Sequence, residues 1–300
     1  MKYDIIIIGC GPAGMTSAIY ALRSGKSVLI LEKESIGGQI ASSPLVENYP
    51  GYTSISGAEL SNNLYEQVLN LGGQIELEEV VEIKVGKEKE VITTDNAYSA
   101  SAIIIATGAK HRLLGLENEQ ELIGNGIHFC VSCDGAFYKD KTVCVIGGGN
   151  SAVINALTLS DICKNVIIVQ DLAYLTAEKK LVGRLNDKKN VEIHYNSKVK
   201  EIIGENELKA IVIENVLEQE IETDGMFISI GLVPESNFIK NLIKVNNYNY
   251  IESDNSCNTN IEGIFVAGDV RSKKIRQLTT AVNDGTIAAL EAIEYIDNLK

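Results

Sequence analysis

Cys130-Val131-Ser132-Cys133-Asp134 holds two thiols three positions apart and a carboxyl group directly behind the second. Such a pair closes a small disulfide ring and reopens it by thiol exchange. Asp134 would give or take the proton of the departing thiol. The plainer reading of Asp134 is a helix N-cap. The other cysteines, Cys10, Cys144, Cys163 and Cys257, are scattered. In a chain this long, without a secretory signal, they form no disulfide framework and read as buried small hydrophobes. One Cys-x-x-Cys without a second pair does not make a zinc site, and His128 cannot complete one alone. No metal is expected, and redox exchange is the chemistry that the spacing fits.

Two glycine turns flank the pair. Upstream, Tyr3 to Ile8 is an apolar run of the length of a buried parallel strand. It runs into Gly9-Cys10-Gly11-Pro12-Ala13-Gly14, followed by an apolar-periodic helix over Met15 to Ser24 and a strand from Ser27 closed by Glu32. In a G-x-G-x-x-G turn the first glycine allows the bend, the second lets backbone approach a pyrophosphate, and the third packs helix on strand. The helix N-terminus then faces the phosphates. Glu32, 18 residues past Gly14 (32 minus 14), is placed to accept from a ribose hydroxyl. Downstream, the strand Thr142 to Ile146 runs into Gly147-Gly148-Gly149-Asn150-Ser151-Ala152, 138 positions after the first turn (147 minus 9). The chain therefore carries two Rossmann-like units in tandem.

Other segments fill in the frame. Residues 57–71 read as a helix, and Val80 to Val85 with Glu90 to Thr94 as small antiparallel strands. Ala102 to Ala106 is a buried strand ending in Thr107-Gly108, and a crossover follows at about 109–115. Val166 to Val169 follows the second turn as a strand; Val191 to Ile193, Val199 to Ile203 and Lys209 to Ile213 read as a small meander, and Gly225 to Ile230 as a further strand. Ile264 to Ala267, Gly268-Asp269, a basic loop Arg271 to Arg276 and a helix over about 279–299 return to complete the first domain.

Three hundred residues correspond to about two domains. An apolar share of 45% and a charged share of 22% fit a soluble globular chain. No apolar run reaches the roughly 18–20 residues of a membrane span. The net charge of −13 argues against nucleic acid or an anionic membrane as partner. Ile5 to Ile8 leads into glycines rather than a cleavage-type segment, so a cytoplasmic protein is expected.

The order of Gly9 to Gly14, Gly37-Gly38-Gln39, Glu47-Asn48-Tyr49-Pro50-Gly51, Ala106-Thr107-Gly108, Cys130 to Gly135, Gly147 to Ala152, Ala267-Gly268-Asp269 and Arg276-Gln277 resembles the low-molecular-weight thioredoxin reductases over nearly the whole chain. That resemblance implies an α/β fold of two Rossmann-like, three-layer dinucleotide-binding domains, the second inserted into the first. The boundaries expected are residues 1–114 and 239–300 for the first and 115–238 for the second. It implies a homodimer, FAD on the first domain, and a disulfide on the second that reduces thioredoxin, with domain rotation during turnover. By the same analogy Gly9, Gly11, Pro12, Ala13, Gly14 and Glu32 hold the ADP half of FAD. Ala106, Thr107 and Gly108 border the cofactor, Gln39 and Asn48 approach the flavin, and Gly268 and Asp269 meet the ribityl chain. Arg276, Gln277 and the backbone near Ala281 border the isoalloxazine. Cys133 is favoured as the sulfur nearer the ring.

The pattern breaks after the second strand of the inserted domain. NADPH-dependent relatives carry His-Arg-Arg-x-x-x-Arg there, and the corresponding residues are Gln170, Asp171, Leu172 and Thr176. A charge-assisted hydrogen bond contributes ~1.5–3 kcal/mol, so two lost arginine contacts cost roughly 3–6 kcal/mol, or about 100-fold to 10,000-fold in NADPH affinity. In this respect the chain resembles the ferredoxin-dependent flavin thioredoxin reductases. A ferredoxin near about −400 mV and thioredoxin near about −270 mV leave ~130 mV, or ~6 kcal/mol for two electrons. Ferredoxins are usually acidic, against the −13 charge of this chain, so the basic loop Arg271, Lys273, Lys274 and Arg276 is read either as their local dock or as a solvated surface loop. The alternatives are a reductase using NADH or NADPH weakly, an oxygen-using dithiol oxidase, and a flavin-bound module without turnover.

Overall fold

The structure, a computed structural model, describes residues 2–43, 45–86 and 88–299. In chain order its elements are β1 (Lys2–Ile8), α1 (Pro12–Arg23), β2 (Val28–Glu32), α2 (Gly57–Asn70), β3 (Gln74–Leu77), β4 (Val80–Lys84), β5 (Lys89–Thr93), β6 (Ala97–Ile105), β7 (Ala109–His111) and β8 (Ile127–His128). There follow α3 (Val131–Asp134), β9 (Thr142–Ile146), α4 (Asn150–Ser160), β10 (Asn165–Val169), α5 (Lys179–Asn186), β11 (Val191–His194), β12 (Lys198–Ile203), β13 (Ala210–Glu214) and β14 (Glu218–Glu222). The last are β15 (Gly225–Ile228), β16 (Leu232–Pro234), β17 (Ile264–Val266) and α6 (Leu278–Asn298). They form two units, Met1–Lys110 with Val233–Lys300, and His111–Leu232. The joints lie at 110/111 and 232/233, where the sequence pointed to 114/115 and 238/239. The two crossings, β7 and β16, are themselves short strands that pair.

In the first unit, the described residues form a seven-stranded sheet in the order β3-β2-β1-β6-β5-β4, with β17 also on β6. Successive side chains of a strand point to opposite faces, and β1 uses both. Ile5 and Ile7 enter the core under α1 and α6, while Ile6 and Ile8 enter a second core with Val80, Val91 and Ile264. This explains why β1 reads as a continuous apolar run rather than an alternating one. β6 is longer than its apolar stretch: Ala97 to Ala100 pair antiparallel with β5, and Ile103 to Ile105 pair parallel with β17. The returning tail thus joins the same sheet as the N-terminus. β3 was not foreseen, because its four residues, Gln74–Leu77, alternate over too short a stretch to mark a strand and are mostly exposed.

The second unit repeats the plan on a smaller scale. A parallel sheet runs β11-β10-β9-β15-β8, beside an antiparallel ribbon β12-β13-β14. The expected meander therefore needs correction. Val191 to His194 belongs to the parallel sheet on β10, and Glu218–Glu222 supplies the third strand of the ribbon. Three short apolar runs in succession look alike, and only tertiary pairing separates them.

The internal repeat is exact at the backbone. Gly9 N donates to Leu31 O at 2.8 Å and Gly147 N to Val169 O at 2.9 Å, each pair 138 positions from the other. Gly9 takes φ +106° and Gly147 φ +121°, a region that favours glycine. A Cβ on Gly14 would lie 2.0 Å from Gly9 O, so α1 sits as close to the turn as a glycine allows. α1 opens at Pro12, three residues earlier than the apolar period indicated, because proline fits the first helical position. Among the described residues no helix is long and apolar enough to cross a membrane, and no cluster of three His, Cys, Asp or Glu could hold a metal ion.

Candidate active site

The Cys130 and Cys133 sulfurs are joined in a disulfide, with Cα atoms 5.3 Å apart. The short helix α3 makes this possible. Cys130 is its N-cap, and Cys133 N and Asp134 N both donate to Cys130 O, at 3.2 and 3.0 Å. Both cysteines are half-buried. Asp134 is buried, and its side chain makes no capping bond to the 3-10 turn Gly135–Tyr138, so the N-cap reading is not what the carboxylate does. Instead its Oδ2 lies 3.2 Å from His128 Nδ1, whose Nε2 is 2.7 Å from the Tyr138 hydroxyl. His128 stacks on Phe227 and meets Tyr138 edge-on. Burial, reinforced by Asp134 and Asp224, pushes Tyr138 up to about 12. From sequence, His128 was weighed only as a zinc ligand, and Tyr138 was passed over. The one signal was a histidine inside the apolar run Ile127-His128-Phe129.

The free cysteines are buried. Burial raises Cys10, Cys144 and Cys257 to about 12 and Cys163 to about 11. None competes with the pair as a thiolate.

In the first unit, Gly9 to Gly14 and Glu32 form one turn. Glu32 Oε2 accepts from Cys10 N at 2.8 Å and Oε1 from Glu34 N at 2.9 Å. The Cβ direction at Gly11 is open, with nothing within 4 Å. A groove runs beside this turn, lined by Gly9, Glu32, Glu79, Thr107, Glu235 and Phe238. Ala106 N donates to Ile8 O, Thr107 Oγ1 to Glu235 O, and Glu235 N to Gly108 O. Glu235 was another residue that sequence reasoning passed over. Ala13 meets the tail, since a Cβ on Gly268 would touch its side chain at 3.0 Å. Asp269 Oδ1 is buried without a hydrogen-bond partner, the Lys273 ammonium lying 3.6 Å away, and burial raises its pKa. Arg276 donates from Nε to Asp269 O and lies over the Tyr250 ring at 4.0 Å. Gln277 caps α6 in a reciprocal pair with Thr280, and Ala281 N bonds Gln277 O. Gln39 donates to Ala109 O, while Asn48 is exposed on its loop. Gly9 to Gly14, Glu32, Ala106 to Gly108, Gly268 and Asp269 are thus brought together.

The second turn differs. Gln170 stands where Glu32 stands in the first and is buried. Its Nε2 turns back to Tyr174 O at 3.1 Å, and its carboxamide packs so closely on Gly148 that a Cβ there would lie 2.5 Å from Cδ. Thr176 N, Thr176 Oγ1 and Ala177 N all donate to Gly148 O. Thr176 Oγ1 also stands 3.8 Å from the Cβ direction of Gly149, the counterpart of the open Gly11.

Comparison with known proteins bears on this geometry. Residues 3–285 match the family model described as pyridine nucleotide-disulphide oxidoreductase. The chain belongs to that family. A thioredoxin reductase of Bacillus subtilis (strain 168) is 42% identical, the match covering 99% of this chain and 96% of that protein. A Clostridium pasteurianum protein described as a 34.2 kDa protein in the rubredoxin operon is 46% identical over 98% of this chain and 97% of its own. The crystal structure of thioredoxin reductase from Streptococcus pyogenes MGAS5005 superposes with a TM-score of 0.95 at 40% identity, covering 99% of both chains. Within the family these relatives mark the chain as a low-molecular-weight thioredoxin reductase type, an oxidoreductase with the two Rossmann-like domains of that group.

Enzymes of this family are FAD-dependent, and the first unit fits the cofactor. It offers an open face at Gly11, the Glu32 carboxylate at the end of β2 beside the glycine turn, and a buried oxygen on Asp269 that lacks a hydrogen-bond partner. The basic loop does not fit the docking role open to it from sequence. Arg271 is buried, donating to Asp284 Oδ1 at 2.6 Å, Ser253 Oγ and Asp254 O. Lys273 reaches Asp284 Oδ2 at 2.8 Å, and Arg276 bonds the carbonyls of Asp269 and Arg271. Of the four cations only Lys274 is exposed.

Proposed function

We propose that the protein is a thioredoxin-disulfide reductase, acting through the Cys130–Cys133 disulfide, with reduced ferredoxin rather than NADPH as its electron donor. The observation that carries the first part is the closed, half-buried disulfide with a buried carboxylate on the same turn. FAD, when bound, supplies the electron pair that opens this bond. Its opening consumes two electrons and two protons and leaves two thiols. One cysteine, as thiolate, then attacks a sulfur of the thioredoxin disulfide; the other attacks the mixed disulfide, reforming Cys130–Cys133 and releasing thioredoxin as a dithiol. Asp134 holds or yields the proton at the departing sulfur. On the first unit, Gly9, Gly11, Pro12, Ala13, Gly14 and Glu32 would hold the ADP half of FAD. Ala106 to Gly108, Gln39, Asn48, Gly268, Asp269, Arg276, Gln277 and Ala281 would border the remainder. The resemblance that supports this substrate supports a cytoplasmic homodimer as well.

The choice of donor rests on the second unit. Gln170, Asp171, Leu172 and Thr176 offer no cation to a 2′-phosphate, and the segment that holds them is bonded down onto Gly148. The basic loop lends no support to a ferredoxin dock. The test is anaerobic mixing with NADPH, NADH and reduced ferredoxin side by side, read at the flavin band. Ferredoxin is expected to bleach the flavin within seconds and micromolar NADPH to leave it oxidised; fast bleaching by NADPH overturns the donor. Thioredoxin reduction by the ferredoxin-reduced protein, abolished in Cys130→Ser and Cys133→Ser, tests the substrate. Oxygen uptake with a dithiol and no thioredoxin turnover would favour a dithiol oxidase instead.

A further inference from the structure

The second unit buries a three-residue chain whose far members none of the preceding chemistry uses. His128 lies on β8, Asp134 ends α3 and Tyr138 closes the 3-10 turn behind it. All three are buried, with the His128 ring boxed by Phe227 and Tyr138. A buried imidazole flanked by one carboxylate and one phenol is costly to bury unless both ring nitrogens are engaged. Both are: Nδ1 with Asp134 Oδ2 at 3.2 Å, and Nε2 with the Tyr138 hydroxyl at 2.7 Å.

We propose that His128 is a positioning residue for the disulfide chemistry, holding the Asp134 carboxyl group where it meets the departing sulfur, with Tyr138 holding the ring. Tyr138 keeps its proton and donates it to Nε2, which leaves the Nδ1 proton for Asp134. A carboxyl group with one oxygen accepting from Nδ1 has one rotamer, and its second oxygen carries the proton that is passed on. Without His128 the side chain is free to turn about χ1 and χ2 and loses its aim. In the step itself a thiolate attacks one sulfur of Cys130–Cys133, that S–S bond breaks, and the other cysteine leaves with the electron pair. The proton it needs comes from Asp134, which regains one when the second thiol of the reductant closes its own disulfide. The inference rests on reading Cys130–Cys133 as the reacting pair and Asp134 as its acid, not on thioredoxin as the substrate.

Dithiothreitol serves as the probe, acting on the full-length FAD-loaded protein, with the opened thiols trapped by alkylation and counted by mass spectrometry. Three single variants and one double variant separate aim from packing. Asn at 128 places its amide near the Nδ1 position and keeps a donor toward Asp134, whereas Gln places it near Nε2 and keeps only Tyr138. General acid–base catalysis contributes roughly 10²–10⁴-fold, so lost aim is expected to slow the opening by about 10-fold or more. Asp134→Asn and His128→Gln should both slow it to that extent, His128→Asn should stay within about 3-fold of wild type, and the double variant His128→Gln/Asp134→Asn should be no slower than Asp134→Asn. A His128→Gln protein as fast as wild type overturns the inference. So does a His128→Asn protein slowed as much as His128→Gln, which would mark a packing role, and so does a multiplicative double variant. A wild-type protein that fails to reduce thioredoxin while the Asn/Gln split persists overturns the proposed substrate and upholds His128.

Discussion

Single residues in this chain differ in how far their roles can be read from their neighbours. Cys130, Cys133 and Glu32 act through spacing along the chain, and spacing is what a sequence displays. Arg271 and Lys273 act through Asp284, which is 13 and 11 positions away and comes within reach only when α6 folds back. Read alone, their run of cations resembles a solvated surface loop; folded, Asp284 takes Arg271 on one oxygen, and Lys273 and Gly268 N on the other. Asp284→Ala leaves two cations facing each other across a buried gap, and breaking a buried pair from one side costs about 3–5 kcal/mol. Urea melts of the variant are expected to show a loss of that size, and a loss under about 1 kcal/mol would mean the cations escape to solvent. His111 provides a pH-dependent case. It stacks on Phe129 with centroids 4.3 Å apart, and burial pulls it down from 6.5 to about 4. Above pH 6.5 both folded and unfolded chains hold it neutral, so it contributes nothing to the pH dependence. As pH falls from 6.5 to about 4 the unfolded chain takes up a proton that the folded one refuses, and stability falls. Between pH 7 and pH 5 the loss is at most about 2 kcal/mol. His111→Phe keeps a ring on Phe129 and should flatten that part of the curve. Equal slopes for the two proteins in urea melts at both pH values would show that His111 carries none of it.

Elements were legible where one local period sufficed and illegible where pairing decided. The β1–α1–β2 unit follows from an apolar run, a glycine turn and an acid, and its repeat at β9–α4–β10 follows from the first two of these signs, with Gln170 in place of the acid. Val191 to His194 carries apolar residues no different from those of the ribbon, and its place in the parallel sheet comes only from its register on β10. The segment between β10 and α5 combines both situations. Its lack of arginines was plain from the sequence, but its bonds to Gly148 were not. Two of those three bonds use the backbone N–H groups of Thr176 and Ala177, which survive any exchange except to proline, so the segment should tolerate new side chains with loss of the Thr176 Oγ1 bond alone. Asp171→Arg with Thr176→Arg returns two cations without moving the backbone. Two charge-assisted bonds contribute roughly 3–6 kcal/mol, so NADPH affinity is expected to rise by at least about 100-fold, with NADH changed little. Calorimetric titration of the double variant checks this. Equal gains for NADH and NADPH would mean that general charge, not the 2′-phosphate, is being read.

The whole molecule keeps two sets of cores in two separate stretches of chain. The clusters around Ile5 and Ile6 draw on residues 3–106 and 238–296, and those around Val143 and Cys144 on residues 114–230. No buried cluster of the described residues mixes the two. A stretch that closes its own hydrophobic core should fold by itself, and the ends of the inserted unit are joined within it by the hydrogen bond from Arg112 N to Gly231 O, at 3.1 Å. A fragment of residues 111–232 is therefore expected to unfold in one cooperative thermal transition and to form the Cys130–Cys133 disulfide. Full-length protein should show two transitions, since two cores need not melt together. The fragment also separates delivery of electrons from their use. It retains His128, Asp134 and Tyr138, so dithiothreitol should open its disulfide at a rate within about 3-fold of the intact protein, if general acid catalysis by Asp134 is intact. It lacks Gly9 to Gly14, Glu32 and Asp269, so neither ferredoxin nor a nicotinamide nucleotide should open it. A fragment with no cooperative transition would mean that the first unit completes its fold, and the division of labour between the two units would then be one of chemistry but not of stability.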